Sequence, residues 1–206
     1  MSNQVLTEIQ RYLASDGPEL SRRFQDDRTN SLINEGEILD VIERQFQIER
    51  PDARHWYDFS IEGQPVNIKV SNMNRNDNLS CKLGVYYALT GLWPNFQNEI
   101  GWDRYFKLLA KNLGKKTTGN YHFLVMSKHS VNDVLLIGLK ELAELQPNGN
   151  NLPFQCNWSK NRTPISRTHD QAIQFILRNL RLSLELRACA FNEFCRSGLD
   201  APPTTG

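Results

Sequence analysis

The chain has 206 residues, a length typical of one domain. Hydrophobic residues make up 39% and charged residues 23%, which excludes an intrinsically disordered chain. The formal net charge is only +1, but residues 1–62 hold 7 basic and 13 acidic residues (net −6), whereas residues 101–170 hold 10 and 5 (net +5). Because the charge is so uneven, the near-neutral total does not exclude a protein that binds a polyanion.

The cysteines and histidines show no metal-binding or disulfide pattern. The four cysteines form no CxxC pair and have no zinc-type spacing to the four histidines, so we expect reduced, mostly buried thiols and structural or surface histidines. The N-terminus lacks the charged-then-apolar order of a signal peptide, and no apolar run approaches the ~20 residues of a membrane span. We therefore expect a soluble, cytoplasmic protein.

Two helices are predicted at the N-terminal end, over residues 4–14 and 31–46. Asn30 or Ser31 is the expected N-cap of the second helix. Glu35 falls inside the apolar stripe of this helix, where a carboxylate needs a partner, a cation or a function. The other members of the stripe are Leu32, Gly36, Leu39, Ile42 and Phe46.

A β-hairpin is predicted next, with strands over 56–62 and 65–71 and Gly63-Gln64 as the turn. Because strand side chains alternate, Asn67 and Lys69 share one face of the second strand. Asp58 lies on the neighbouring strand, so the hairpin is expected to bring these polar groups together.

The rest of the chain alternates helical and strand patterns. In order it contains a polar loop (72–78), helices (80–92 and 102–113), buried strands (121–127 and 133–138), a helical turn (139–145), a polar irregular stretch (146–168) and a last helix (169–197). This order predicts a mixed β-sheet core flanked by helices, α/β or α+β in class. We expect one domain over 1–200 and a disordered tail over 201–206.

The polar groups of the hairpin suit phosphodiester hydrolysis. Asp58, Asn67 and Lys69 are expected around one point, and Glu35 approaches from the preceding helix. Mg²⁺ prefers one or two carboxylates and completes its shell with water and substrate phosphate. A lysine beside it orients or deprotonates the attacking water, or stabilises the developing negative charge.

The spacing Asp58–x8–Asn67-Ile68-Lys69 resembles the PD-(D/E)xK nuclease signature, and the surroundings resemble type II restriction endonucleases. The similarity in the order of elements covers roughly residues 30–180. The segments that carry it are NEGEILDVIERQF, VSNMNRNDNLSCKLGVYYALTG, YHFLVMSKHSVNDVLLIGLKEL and NNLPFQCNWSKNR.

The resemblance implies a restriction-endonuclease-like fold and a Mg²⁺ site. Asp58 would be the main metal ligand, Glu35 and Asn67 would support it, and Lys69 would act on the attacking water. The second acidic position of the motif is Asn67, whose amide brings no negative charge. Pro51-Asp52 lies upstream at a spacing that fits the hairpin less well, and Glu37 and Asp40 remain alternatives to Glu35 as the helix acid.

Contacts to DNA are expected from basic and amide side chains in the middle of the chain, although a solvated surface is the alternative for each of them. The candidates are Asn78, Lys82, Lys115, Lys116, Gln155, Asn157, Lys160, Asn161, Arg162 and Arg167.

The resemblance therefore implies a type II restriction endonuclease that uses Mg²⁺ to cleave double-stranded DNA as a homodimer. One alternative is a repair or resolvase-like nuclease that reads DNA structure instead of sequence. The other, favoured by Asn67, is a DNA-binding protein that keeps the fold with a decayed site.

Overall fold

The structure, a computed structural model, describes residues 2–20, 25, 27–52, 55–96, 100–151 and 153–197. Over these residues the chain has a mixed α+β fold with helices on both faces of a central sheet, which confirms the predicted fold class. None of the described helices is long and apolar enough to cross a membrane. The predicted tail, 201–206, lies outside the described residues.

The helices lie where the apolar periodicity places them. They are α1 (Ser2–Asp16), α2 (Asp27–Gln45), α3 (Lys82–Thr90), α4 (Trp102–Asn112) and α5 (His169–Arg196). Helix α3 ends at Gly91, whose φ of +64° is the left-handed conformation that glycine adopts most easily. A Cβ at Gly84 would lie 2.6 Å from the Tyr121 ring, so this glycine allows the ring to pack closely against α3.

The prediction for α2 was wrong in two details. The helix begins four residues earlier than expected, so Asn30 and Ser31 lie inside it and neither is its N-cap. Leu32 is 64% exposed, whereas Asn34 and Ile38 are buried. The buried face is rotated from the expected stripe because Ile38 and its neighbours, not Leu32, contact the sheet.

The central sheet has four strands in the order β1-β2-β4-β5. These are β1 (Phe59–Ile61), β2 (Gln64–Ser71), β4 (His122–Ser127) and β5 (Val134–Gly138). Strand β2 is parallel to β4, and the other pairs are antiparallel. The hairpin turn is Glu62-Gly63, one residue earlier than predicted, and both residues have positive φ as a type I′ turn requires.

The two faces of the sheet bury different helices. Helices α1 and α2 pack on the face formed by Val66, Ile68 and Val70 of β2. The other face packs against α3, α4 and α5. Asn67 and Lys69 pair with Phe123 and Val125 of β4, so they belong to this second face.

A second, smaller sheet lies in segments that the sequence predicts to be irregular. Its strands are β3 (Asn76–Leu79), β6 (Gln146–Pro147) and β7 (Phe154–Asn157), in the order β3-β7-β6. The prediction was wrong here because these strands are two to four residues long and rich in amides. Pairing between distant segments forms them, and a local hydrophobic pattern does not reveal that pairing.

The four cysteines differ in their exposure to solvent. Cys81 and Cys156 are buried, Cys195 is half-buried and Cys189 is exposed, and all four are reduced thiols as expected.

Candidate active site at the free edge of the central sheet

The short strand β1 leaves part of the edge of β2 uncovered. The backbone N–H of Asp58 donates to the Val66 carbonyl (2.9 Å), and the strand pairing runs from there back to the turn. Further along β2, the N–H groups of Ile68 and Val70 point to the same edge without a strand beside them. Backbone N–H groups in a partly buried edge need an acceptor, so side chains must supply it.

Two carboxylates take these N–H groups. Asp58 Oδ2 accepts from the Ile68 N–H at 2.5 Å, and Glu35 Oε1 accepts from the Val70 N–H at 3.2 Å. A strand rises about 3.3 Å per residue, so the two N–H groups are roughly 7 Å apart along the edge. Glu35 comes from α2 on one face of the sheet, so both carboxylates lie along the open part of this edge, near enough for the charge of Asp58 to raise the pKa of Glu35.

Asn67 and Lys69 lie beside these carboxylates. Asn67 Nδ2 donates to Asp58 Oδ2 at 2.9 Å. Lys69 is half-buried, and within the described part of the chain its ammonium has no hydrogen bond or ion pair. Its positive charge nevertheless acts on both carboxylates, since it lowers the pKa of Glu35 and of Asp58.

Burial dominates the electrostatics of both acids. It raises the pKa of Asp58 above the ordinary value, against the opposing effects of the Ile68 N–H and of Lys69. It also raises the pKa of Glu35, which Lys69 and the Val70 N–H lower and which the negative charges of Asp58 and Asp77 raise further. The site therefore holds more desolvated negative charge than its one lysine balances.

The donor set fits a divalent cation that prefers oxygen. Hydrogen bonds from the described residues engage one oxygen of each carboxyl group, which leaves Asp58 Oδ1 and Glu35 Oε2 for a metal ion. Within the described ranges, no group of three or more histidine, cysteine or carboxylate side chains could hold a metal ion. A Mg²⁺ ion at this edge would take its protein ligands from the two carboxylates and the rest of its shell from water and phosphate.

Asn67 does not present itself as a third ligand. Its NH₂ group, and not its carbonyl oxygen, faces Asp58, so in this arrangement it orients the Asp58 carboxylate. Ligation of a metal by Asn67, as the sequence predicts, would require rotation of the amide.

Two alternative acids, Asp40 for the helix position and Asp52 for the motif, are exposed and form no bond with β2 among the described residues. Glu35 is bonded to β2, whereas Asp40 forms an exposed ion pair with Arg50 at 3.0 Å. Asp52, the alternative acid of the motif, is exposed on the chain that leads to β1. The structure therefore favours the pair Asp58 and Glu35.

Asp77 is a residue of this region that sequence reasoning missed. It lies on β3, where its Oδ2 accepts from Trp158 Nε1 at 2.6 Å, and its charge raises the pKa of Glu35. The sequence places Asp77 in an Asn-rich loop, and only the pairing of β3 with β7 brings it here.

Three of the predicted DNA contacts are outward amides of the second sheet. Asn78 Oδ1 accepts from Gln155 Nε2 and from Asn148 Nδ2, each at 3.0 Å. Asn157 donates to the Asn74 carbonyl at 3.0 Å. These amides are at or near the surface and bond to one another or to the adjacent turn.

Lys82 and Asn161 have structural roles instead of the predicted contacts to DNA. Lys82 Nζ donates to the Ile100 carbonyl at 2.6 Å, and burial lowers its pKa. Asn161 is fully buried, and its amide bonds the backbone of Glu144 and Asn157. Its side chain is not available to a base edge.

Arg167 is also engaged within the fold. It donates to the carbonyls of Lys140 and Leu142, at 3.0 and 2.9 Å, and its guanidinium lies 4.0 Å from the centre of the Phe175 ring. These contacts hold the segment before α5 against the body of the protein, and the DNA contact of the half-buried Arg167 stays a prediction.

The remaining predicted contacts are on the surface. Lys115 and Lys116 are exposed just after α4. Lys160 and Arg162 form surface ion pairs, with Glu144 at 3.2 Å and with Asp133 respectively. Exposed ion pairs contribute little to stability, so a phosphate group could replace either acid at small cost.

Comparisons with protein-family models, with curated proteins and with solved structures found no significant match to this chain.

Proposed function

We propose that this protein is a Mg²⁺-dependent endonuclease that hydrolyses both strands of DNA at a short sequence, a type II restriction endonuclease. The observation that carries the proposal is the pair of half-buried carboxylates on the free edge of β2, beside Lys69. Burial raises the pKa of both carboxyl groups although Lys69 opposes the shift, and a divalent cation bound here would stabilise their charged forms.

Each residue of the edge has a distinct task. Asp58 and Glu35 hold the cation, which when bound polarises the phosphate and lowers the pKa of an attacking water. Asn67 keeps the Asp58 carboxylate oriented through its 2.9 Å hydrogen bond. Lys69, whose ammonium has no partner in the described residues, orients the water or stabilises the negative charge that develops on the phosphate.

Recognition of a sequence is assigned to the second sheet. Amide side chains form paired hydrogen bonds with adenine in the major groove, and Asn78 and Gln155 lie side by side on the second sheet, joined by a single hydrogen bond of 3.0 Å. Lys115 and Lys116 are exposed and suited to phosphate contacts, which position the protein without reading sequence. A homodimer fits a palindromic site because each active site then cuts one strand.

One observation favours a second candidate, a DNA-binding protein without catalytic activity. Asn67 replaces an acid of the motif, and its amide nitrogen faces Asp58. A site with two carboxylates instead of three binds a cation less tightly, and a protein that had lost catalysis would tolerate such a change.

Digestion of a plasmid of known sequence separates these functions. With Mg²⁺ we expect discrete fragments of reproducible size, and none when EDTA is present. Cleavage confined to branched or mismatched substrates would replace the restriction function by a repair or resolvase-like one. Retention of DNA without cleavage, with either Mg²⁺ or Mn²⁺, would establish the non-catalytic protein.

A further inference from the structure

A cavity of about 730 Å³ opens where β4 begins and β5 ends. His122, the first residue of β4, and Gly138, the last residue of β5, line it together with the segment 117–120 and the chain that leads into α5. None of the four candidate catalytic residues lines this cavity. Pockets of this volume commonly hold small molecules, and the side chains of its walls indicate which kind.

The tautomer of His169 follows from its contact with Lys140. Lys140 Nζ lies 3.2 Å from His169 Nδ1 and also donates to the Thr117 carbonyl at 3.1 Å. Because an ammonium group only donates, Nδ1 of His169 is the acceptor and its proton resides on Nε2. That Nε2 is buried and has no hydrogen-bond partner, so the ring of this cavity-lining residue carries an unused N–H donor, which a ligand would reach if the ring turned toward the cavity.

His122 adds a second unpartnered ring nitrogen. Its side chain is only 7% exposed, and its Nδ1 has no hydrogen-bond partner. Burial, together with the charge of Lys140, lowers the pKa of His122 to about 4, so the ring is neutral at pH 7. A neutral imidazole carries one N–H group, and no contact of the described residues fixes which nitrogen of His122 holds it, so this ring can also supply a donor if it turns toward the cavity.

The lining of the cavity includes two cationic side chains, Lys140 and Arg167, and one carboxylate, Glu141. Burial lowers the pKa of Lys140 and of Arg167, both of which line it. The lining carboxylate is Glu141, whose two oxygens accept from Asn120 Nδ2 at 2.9 and 2.8 Å. No ion pair joins Lys140 to any carboxylate of the described residues.

We propose that this cavity binds a phosphate-type anion, with Lys140 supplying the charge and His169 and His122 the neutral donors. A tetrahedral anion has an oxygen for each of these three donors, whereas a carboxylate has only two. The volume exceeds that of a free phosphate ion, so a nucleoside monophosphate fits the cavity as well. The proposal is independent of the nuclease function.

Calorimetric titration at low salt tests this assignment with three probes: inorganic phosphate, AMP and a short DNA duplex. We expect saturable binding of phosphate, and a stronger ligand among the other two identifies the source of the anion. Lys140→Met should weaken binding of phosphate and of AMP at least tenfold, and DNA that still binds this variant is held by the nuclease surface. Lys107→Met, which removes an exposed lysine from α4, should leave it unchanged.

Two further measurements keep the proposal testable if Lys140→Met does not fold. His169→Gln keeps the size of a polar side chain at a partly exposed position, so it serves if Lys140→Met does not fold, and it should weaken binding as well. The ring resonances of His122 and His169 should shift on titration with phosphate. Absence of saturable binding by phosphate and AMP, or equal affinity in wild type and the folded variants, would overturn the proposal. Asp58 lies outside this cavity and Asp58→Asn should bind phosphate and AMP as the wild type does, so a loss of cleavage in that variant does not bear on the cavity.

Discussion

The free edge of β2 and the cavity beside β4 and β5 are electrostatic opposites within one sheet. At the edge, burial raises the pKa of two carboxyl groups, Glu35 and Asp58, which one lysine balances only in part. At the cavity, burial lowers the pKa of Lys140 and of two histidines, and the lining acid is already bonded to an amide.

In each cluster, the groups that lack a partner indicate the charge of the ligand that would bind there. Carboxylates that are buried without enough positive charge call for a cation, and buried nitrogen donors without an acceptor call for an anion. A polyanion cut with the help of a metal ion involves both kinds of charge. The comparison predicts that the two sites respond to different ligands and to different substitutions.

The largest effect is expected from Asp58→Asn. Loss of the main metal ligand removes several kcal/mol of transition-state stabilisation, which corresponds to about a 10³-fold slower cleavage of DNA. Single-turnover cleavage rates measure it. Glu62→Gln, which removes an exposed acid from the turn of the same hairpin, is the control and should cleave normally.

Lys69→Met should slow cleavage by about 10²–10⁴-fold, the usual contribution of a positioned acid–base group. Because Lys69 is not a ligand of the metal, binding of Mg²⁺ should persist in this variant. Lys111→Met on α4 provides the exposed-lysine control. A variant that cleaves at the wild-type rate would remove Lys69 from the catalytic set.

The independence of the two sites can be broken by crossed measurements. Lys140→Met should weaken binding of AMP at least tenfold and leave the rise in thermal midpoint caused by Mg²⁺ unchanged. Asp58→Asn should do the reverse. If both variants affected both ligands equally, the two charge clusters would not be separate sites.

A pH dependence of stability should follow from the raised pKa of Glu35. The native carboxyl binds a proton over a pH range in which the unfolded one has lost it, so stability falls as pH rises from the ordinary value of 4.5 through the raised pKa. Glu35→Gln removes this loss and keeps an oxygen for the Val70 N–H. Without metal, urea unfolding should therefore show a larger gain for Glu35→Gln at pH 7 than at pH 4. An equal gain at both values would mean that Glu35 is not destabilised by burial.

The smallest effect is expected at Ser71, at the end of β2. Its buried hydroxyl has no hydrogen-bond partner, so Ser71→Ala should raise the free energy of unfolding by about 0.5–1 kcal/mol. Ser60 is a matched control in the same sheet because its hydroxyl donates to Glu49 at 3.0 Å. Ser60→Ala should destabilise, and the same sign of change for both serines would contradict this interpretation.

The elements with strong local patterns could be predicted from the sequence. The helices and the strands β4 and β5 follow from apolar periodicity, and the hairpin follows from alternation beside a glycine. The alternation also places Asn67 and Lys69 on one face, and the unusual apolar setting of Glu35 singles it out. The structure brings these residues to one edge together with Asp58.

Features that arise from long-range pairing could not be predicted. The second sheet joins β3 and β7, which are more than 70 residues apart in the chain, and Asn161 is polar but fully buried because four hydrogen bonds satisfy its amide. The histidines of the cavity were expected to be structural or surface groups. Nothing in their spacing shows that Lys140 lies beside His169.

The central claim is that Asp58 and Glu35 bind a divalent cation at the free edge of β2, and titration with Mn²⁺ monitored by electron paramagnetic resonance tests it most directly. The account predicts saturable binding by the wild type and by Glu62→Gln, and at least tenfold weaker binding by both Asp58→Asn and Glu35→Gln. Binding of equal strength in all four proteins, or no saturable binding by the wild type with a cleavage-resistant DNA duplex present, would contradict it.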